Sequence, residues 1–162
     1  MAEPPVRVVF VCWGNICRSP IAERVAERAA ADAGLTGVEF TSAATSTEEL
    51  GAPMDDRAAA VLRRAGYRST GHIAHQIDAD ELDQADLVVA MEDIHVRLLH
   101  RLDGTAEHVH LLSEFDPSAP PGSGVPDPWY GPDSAFDGTL RAVESAIPGV
   151  LDAVRELQAA RR

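Results

Sequence analysis

Two residues near the start of the chain have types and spacing suited to anion chemistry: Cys12 and, six positions later, Arg18. A cysteine held against main-chain N–H groups at a helix N-terminus is expected to be largely thiolate, and therefore nucleophilic. An arginine beside it can offer a bidentate fork to two oxygens of a tetrahedral oxyanion. The pair would suit in-line attack on phosphorus. The spacing alone is weak evidence, because it arises by chance in roughly one chain of this composition in six.

The elements around this pair strengthen the interpretation. Val6–Val11 is a short β-branched run, typical of a buried strand. Ser19 and Pro20 are typical of the N-cap and the first position of a helix, which Gly34 would end. The Cys12 segment therefore joins a strand to a helix, where parallel sheets bind anions.

The loop itself carries residues that fit this use. Gly14 allows close backbone approach, while Asn15 and Ser19 can brace the turn and hydrogen-bond the sulfur. The competing interpretation is a buried Cys12 that ends a strand and an Arg18 that is an ordinary cation at a helix start. A cation in that place opposes the helix dipole, so it needs an anionic partner.

Phosphoester cleavage also needs a proton for the leaving oxygen and then a base that activates water, and one carboxylate can do both. Asp116 and Asp127 each precede a proline in segment 113–133, a Pro- and Gly-rich loop long enough to be functional or mobile. Spacing does not choose between them, since either could be the acid and either a turn residue.

Aromatic residues make up only 5% of the chain, yet Trp13, Trp129 and Tyr130 lie in these two segments. A planar wall beside an anion site suits an aryl phosphate, so we expect a preference for phosphotyrosine over phosphoserine. The other aromatic residues are expected in the core or at strand ends: Phe10, Phe40, Tyr67, Phe115 and Phe136.

Cys17 has two interpretations. It could be a resolving thiol that traps an oxidised Cys12 as a reversible disulfide, or a small buried packing residue.

The histidines are expected to be structural. Two pairs could be considered as metal ligands: His72 with His75, and His108 with His110. Neither pair has further ligands at a suitable spacing, so we expect no metal site. His95 and His100 are expected on the surface of a helix.

Strand-like and helix-like stretches alternate along the chain. Strands are predicted over Val6–Val11, Val38–Ser42, Leu87–Met91 and Val109–Leu112. Helices are predicted from Ser19 to Gly34, from Asp55 to Ala65, over Ile94–Leu102, and from Ser134 towards Gln158 with Pro148 kinking or interrupting the last. The alternation predicts an α/β fold with a four-stranded parallel sheet and helices on both faces.

Length, composition and charge restrict the number of domains, the partners and the location that the chain can have. The 162 residues, 45% of them hydrophobic, predict a single domain over 1–162. The net charge of −12 disfavours nucleic acid and anionic membranes as partners. No apolar run approaches the ~18 residues of a membrane span, and Glu3, Pro4 and Pro5 stand where a secretory signal would carry basic residues. We expect a cytoplasmic protein, with export lacking a signal left open.

The run VCWGNICRSPIAE (11–23), together with SAAT (42–45), the His72 segment and DPWYG (127–131), resembles the low-molecular-weight protein tyrosine phosphatases over essentially the whole chain. The resemblance implies a flavodoxin-like, phosphatase I-like fold and hydrolysis of phosphotyrosine in proteins through a phosphocysteine intermediate. It also implies inorganic phosphate as product, no cofactor, and a monomer or weak dimer.

The resemblance also implies roles for individual residues. Cys12 would be the nucleophile, Arg18 would bind the phosphoryl oxygens, and Asp127 rather than Asp116 would be the acid. The loop would be supported by Asn15, Ser19 and His72. The phosphate-binding loop would comprise Trp13, Gly14, Asn15, Ile16, Cys17, Arg18 and Ser19.

Three positions depart from the commonest family pattern. Trp13 occupies a variable loop position and should narrow the mouth of the site. Glu48 stands where many members have an aromatic residue on the rim, and Ala44 where many bacterial members have glycine. The expected substrate wall comprises Trp13, Glu48, Trp129 and Tyr130.

Three other functions fit the residues less well. Related arsenate reductases need a further cysteine pair, whereas this chain has two cysteines in all. Related phosphoarginine phosphatases tend to carry threonine where Ile16 stands. A catalytically silent phosphate-binding module would lack the nucleophile or the acid.

Overall fold

The sheet forms around the first strand. The computed structural model describes residues 3–161, with strands β1 (Val6–Cys12), β2 (Val38–Ala44), β3 (Leu87–Ala90) and β4 (Val109–Leu111). The strands are parallel and lie in the order β2-β1-β3-β4, which confirms the predicted four-stranded parallel sheet. Chain order reverses beside β1, so the loop that follows β1 lies at the topological switch point where such sheets bind ligands.

Helices cover both faces of the sheet, as predicted. They are α1 (Arg18–Asp32), α2 (Asp56–Arg64), α3 (Ala79–Gln84), α4 (Asp93–Leu102) and α5 (Ser134–Ala160). Val8 and Phe10 of β1 pack with α1, α2 and α5, whereas Val9 and Val11 pack with α3 and α4. This alternation follows from the two-residue period of a strand. Two short 3₁₀ turns, Leu112–Phe115 and Pro128–Tyr130, lie at the start and near the end of the long loop 113–133.

Several boundaries differ from the predictions. The predicted N-cap role of Ser19 is wrong, because α1 already begins at Arg18 and Cys17 occupies the cap position. Helix α3 was not predicted, since it has six residues and buries only Leu82. Helix α5 continues through Pro148, so the interruption considered there is wrong.

His95 is also placed differently from the prediction. It was expected on a helix surface, but its side chain is fully buried in the first turn of α4. Its Nδ1 accepts a hydrogen bond from the backbone N–H of Glu92 at 3.1 Å, which caps the helix. A polar ring can be buried there because this hydrogen bond is made within the fold.

Candidate active site

Cys12 is the last residue of β1, and its sulfur lies inside the loop that leads into α1. The Sγ atom accepts from the backbone N–H of Asn15 at 3.3 Å and lies 3.0 Å from the hydroxyl of Ser19. That hydroxyl already accepts a hydrogen bond from the Asn15 side-chain amide at 2.8 Å, so its own proton is free to point at the sulfur. Two donors aimed at one sulfur are suited to a thiolate.

Asn15 is the residue that shapes this loop. Its φ of 59° lies in the left-handed region, which asparagine tolerates better than most residues. Its buried side-chain amide donates to the Ser19 hydroxyl and to the Ser42 hydroxyl of β2, the latter at 3.0 Å. Its backbone carbonyl oxygen lies 2.6 Å from His72 Nε2. The structure therefore brings together Asn15, Ser19 and His72, as the sequence analysis expected.

His72 and Glu23 form the outer part of this support. Burial lowers the pKa of His72, so the neutral ring can donate from Nε2 to the Asn15 carbonyl. The Ser42 hydroxyl donates to the Glu23 carboxylate at 2.8 Å, and burial raises the pKa of that carboxyl. Ser42 and Glu23 lie within the motifs quoted from the sequence but were given no role there, because their contact depends on how β2 and α1 pack beside β1.

Arg18 is buried at the first position of α1, and its charge is matched by carboxylates from distant segments. Nη1 donates to the Glu92 carboxylate and to the Val125 carbonyl oxygen, the latter at 2.8 Å. Nη2 lies 3.6 Å from Asp127 Oδ2. These are the anionic partners that a cation at a helix N-terminus needs. Glu92 and Val125 were missed by the sequence analysis, since they lie 74 and 107 positions away.

The structure separates the two candidate acids. Asp127 precedes the turn Pro128–Tyr130, accepts the Trp129 N–H at 3.1 Å through Oδ1, and faces Arg18 through Oδ2. Asp116 instead accepts hydrogen bonds from the backbone and hydroxyl of Ser118, as a turn aspartate does. Only Asp127 of the two lines the cavity above the sulfur.

That cavity, of about 310 Å³, lies between the Cys12 loop and the Asp127 turn. Trp13, Trp129 and Tyr130 line its mouth and are all exposed. The indole N–H of Trp13 donates to the Glu48 carboxylate at 3.0 Å, which holds the ring on the rim. The expected substrate wall is therefore assembled in one place. The complete lining is Cys12, Trp13, Gly14, Ile16, Cys17, Arg18, Glu48, Glu49, Asp127, Trp129 and Tyr130.

Cys17 is a buried free thiol beside this cavity. Burial, and next the charge of Asp55, raises the pKa of the Cys17 thiol. It therefore stays protonated, as a packing residue would, and a resolving role would require attack by a poorly ionised thiol.

The histidine pairs have other partners. His75 lies 3.0 Å from the Glu81 carboxylate, His108 lies 2.7 Å from the Leu82 carbonyl oxygen, and His110 lies 3.5 Å from Glu114. Within residues 3–161, no three His, Cys, Asp or Glu side chains are grouped so that they could hold a metal ion. Over the same residues, no helix has the length and apolarity needed to span a membrane.

A thiol in a strand-to-helix loop at the switch point of a parallel sheet, faced by an arginine and a carboxylate, is the arrangement expected of a cysteine-dependent phosphatase. Comparisons with known proteins narrow this class. A sequence model described as low molecular weight phosphotyrosine protein phosphatase matches residues 7–160. Low molecular weight protein-tyrosine phosphatase A of Mycobacterium tuberculosis is 44% identical over 154 residues, covering 94% of this chain and 93% of the relative.

Further relatives agree. A low molecular weight protein-tyrosine-phosphatase of Streptomyces coelicolor is 45% identical over 155 residues, covering 93% of this chain and 94% of the relative. The crystal structure of YfkJ from Bacillus subtilis superposes with a TM-score of 0.88 at 27% identity, over 95% of this chain and 97% of that one. The chain therefore belongs to the low molecular weight phosphotyrosine protein phosphatases, a family of cysteine-dependent hydrolases. The resemblance noted in the sequence is confirmed.

Proposed function

We propose that this enzyme hydrolyses phosphotyrosine in proteins through a phosphocysteine formed on Cys12. The observation that carries the proposal is the placement of three groups on one cavity: the Cys12 sulfur with its two donors, the Arg18 guanidinium, and the Asp127 carboxyl. Nucleophile, oxyanion binder and proton donor are the parts that such a reaction requires.

In the first step, the Cys12 thiolate attacks phosphorus in line with the tyrosine oxygen. The S–P bond forms as the P–O bond breaks, while Arg18 and the loop N–H groups bind the equatorial oxygens. Asp127, in its protonated form, gives its proton to the departing phenolate oxygen.

In the second step, Asp127 is a carboxylate and accepts a proton from water. The water oxygen bonds to phosphorus, the P–S bond breaks, and inorganic phosphate leaves with the thiolate restored. The hydroxyl of Ser19 and the N–H of Asn15 then stabilise the charge returned to sulfur.

The aromatic rim supports phosphotyrosine as the substrate. Trp13 and Trp129 flank the mouth, and the apolar Ile16 lines the cavity, so a phenyl ring can pack where a serine side chain would leave apolar surface uncovered. Phosphotyrosine proteins are the proposed partners, and the proposed working form is a cytoplasmic monomer or weak dimer.

Matched peptides test the substrate class. Two peptides that differ only in phosphotyrosine or phosphoserine are compared by phosphate release, and we expect kcat/KM to favour phosphotyrosine by about 100-fold, because transition-state binding of the ring adds to chemistry at phosphorus. Similar values for both peptides would remove the aryl specificity. A phosphoarginine peptide in the same assay tests the alternative substrate, and faster release from it would replace the proposal.

A further inference from the structure

Arg57 lies at the start of α2. It belongs neither to the loop around Cys12 nor to the turn Pro128–Tyr130 that follows Asp127, here called the acid turn. Its Nε and Nη2 donate to the Asp55 carboxylate at 3.2 and 3.3 Å. Asp55 is the N-cap of α2 and also accepts the backbone N–H of Arg57 at 2.8 Å. The guanidinium plane is therefore held against a rigid helix start, since a bidentate arginine–carboxylate pair fixes orientation as well as distance.

The Arg57 guanidinium also contacts Trp129, in the turn that follows Asp127. Nη1 donates to the Trp129 carbonyl oxygen at 3.3 Å, and the guanidinium carbon lies 5.1 Å from the centroid of the Trp129 ring. It also lies 4.7 Å from the ring centroid of Phe136, a buried residue of α5. Both distances are within the range of cation–π attraction.

Trp129 links Arg57 to Asp127 through its backbone. Its backbone N–H donates to Asp127 Oδ1, so a displaced Trp129 would carry the Asp127 carboxyl with it. The segment around the turn is rich in proline and glycine, and Asp127 itself is exposed. A residue so placed needs an external anchor to keep one position relative to the sulfur.

The same helix start also contacts the nucleophile's loop. The backbone N–H of Asp55 donates to the Ile16 carbonyl oxygen at 2.9 Å. A continuous series of contacts thus runs from Ile16 through Asp55, Arg57 and Trp129 to Asp127. We propose that Arg57 is a positioning residue that sets the distance between the acid turn and the nucleophile's loop. This inference rests on the proposed role of Asp127 as general acid.

Leaving-group dependence provides the test. Removing the guanidinium in Arg57→Gln should lower kcat/KM for a phosphotyrosine peptide by about tenfold or more, because a misplaced acid cannot protonate a basic leaving oxygen. The loss with p-nitrophenyl phosphate should stay below about threefold, since its leaving group departs with little protonation. A purely structural role would lower both values together.

A double-mutant cycle identifies the group through which Arg57 acts. In an Asp127→Asn background, Arg57→Gln should change kcat/KM for the peptide by less than about twofold, because the acid it positions is already lost. Arg57→Lys, which keeps the charge over the rings but not the fork, should lose less than Arg57→Gln. If Arg57→Gln does not fold, Arg57→Lys is compared with wild type on the same two substrates instead. Arg63→Gln, on an exposed position of the same helix, is the matched control and should match wild type.

The outcomes separate the two proposals. Equal losses on both substrates, or additive losses in the cycle, would overturn the role of Arg57 while leaving Asp127 as the acid. If Asp127→Asn alone lowers kcat/KM equally for both substrates, Asp127 is not the acid, and the proposed roles of Asp127 and Arg57 both fail.

Discussion

The Ser19 hydroxyl is the side-chain hydrogen-bond partner of the Cys12 sulfur. It accepts from Asn15 and lies 3.0 Å from Cys12 Sγ, so its own proton is free to point at the sulfur. In the proposed mechanism the same donor acts twice, first on the attacking thiolate and then on the thiolate that leaves the phosphocysteine.

Ser19→Ala should therefore slow turnover. We expect kcat with p-nitrophenyl phosphate to fall about tenfold or more, the effect of removing one hydrogen bond to a charged atom. Steady-state kinetics measure this change. The control is Ser118→Ala, which removes a hydroxyl that binds Asp116 and does not line the cavity. Unchanged kcat in Ser19→Ala would mean that the hydroxyl does not stabilise the sulfur.

Asp127 makes a separate residue-scale prediction. Asp127→Ala should reduce kcat/KM most for poor leaving groups, by about 100-fold for a phosphotyrosine peptide and clearly less for p-nitrophenyl phosphate. The slope of log kcat/KM against leaving-group pKa over a series of aryl phosphates measures this. A wild-type slope in the variant would exclude Asp127 from proton transfer.

The candidate-site residues that lie within one segment can be predicted from the sequence, whereas their distant partners cannot. Cys12, Asn15 and Ser19 are close in the chain, so the spacing of their types predicts the loop. Glu92 and Val125 reach Arg18 only because the ends of β3 and the long loop meet the end of β1. No local sequence pattern predicts these contacts with Arg18.

At the scale of elements, α5 passes very close to the turn Leu112–Phe115. A Cβ atom built at Gly149 would clash with the carbonyl oxygen of Phe115 and lie 3.0 Å from its carbonyl carbon. Gly138 is in the same helix, and a Cβ there would meet nothing within 4 Å. The two glycines therefore differ in the space around them and not in their secondary structure.

Alanine at these two positions should have opposite effects. Gly149→Ala should lower the free energy of unfolding by about 1–3 kcal/mol, because the helix must move away from the turn. Gly138→Ala should raise it by about 0.5–1 kcal/mol, the advantage of alanine over glycine within a helix. Urea denaturation of both variants measures the difference. Stabilisation by Gly149→Ala would show that this close approach does not constrain the fold.

The errors at element boundaries have identifiable causes. Ser19 followed by Pro20 has the pattern of a helix start, but the hydroxyl is engaged by Asn15 and Cys12 rather than by the helix backbone. Helix α3 has a capping residue, Asp78, whose side chain accepts the Glu81 N–H at 2.8 Å, but it is too short to show a hydrophobic period.

For the whole molecule, buried His95 makes stability depend on pH. Burial, and next the charge of Arg18, lowers the pKa of His95 from 6.5 to about 4. In the unfolded chain the ring takes up a proton below about pH 6.5, whereas the folded protein holds it neutral. The unfolded state therefore binds more protons in this window, and stability falls as the pH decreases from 6.5 towards 4.

This dependence can be measured against a variant that does not titrate. Between pH 7.5 and pH 5, His95 should contribute a loss of about 2 kcal/mol in the free energy of unfolding. His95→Asn keeps an acceptor for the Glu92 N–H and should lose correspondingly less over the same interval. Urea denaturation at both pH values provides the comparison, and equal losses in the two proteins would show that His95 is not the responsible group.

The fold class follows from the sequence because alternating strands and helices allow few arrangements. The strand order is a different matter. Four strands and a parallel direction could be predicted, but the position of β1 between β2 and β3 depends on long-range packing. That position brings Ser42, Glu92 and Asp127 around one loop.

Detection of phosphate on Cys12 tests the phosphocysteine mechanism directly. Enzyme mixed with p-nitrophenyl phosphate, quenched during turnover and digested, should yield one phosphoryl adduct on the peptide that contains Cys12, located on that sulfur by fragment mass spectrometry. Cys12→Ser should carry no thiol-linked phosphate and release no p-nitrophenol. Steady turnover by Cys12→Ser, or a wild-type adduct on any other side chain, would contradict the mechanism.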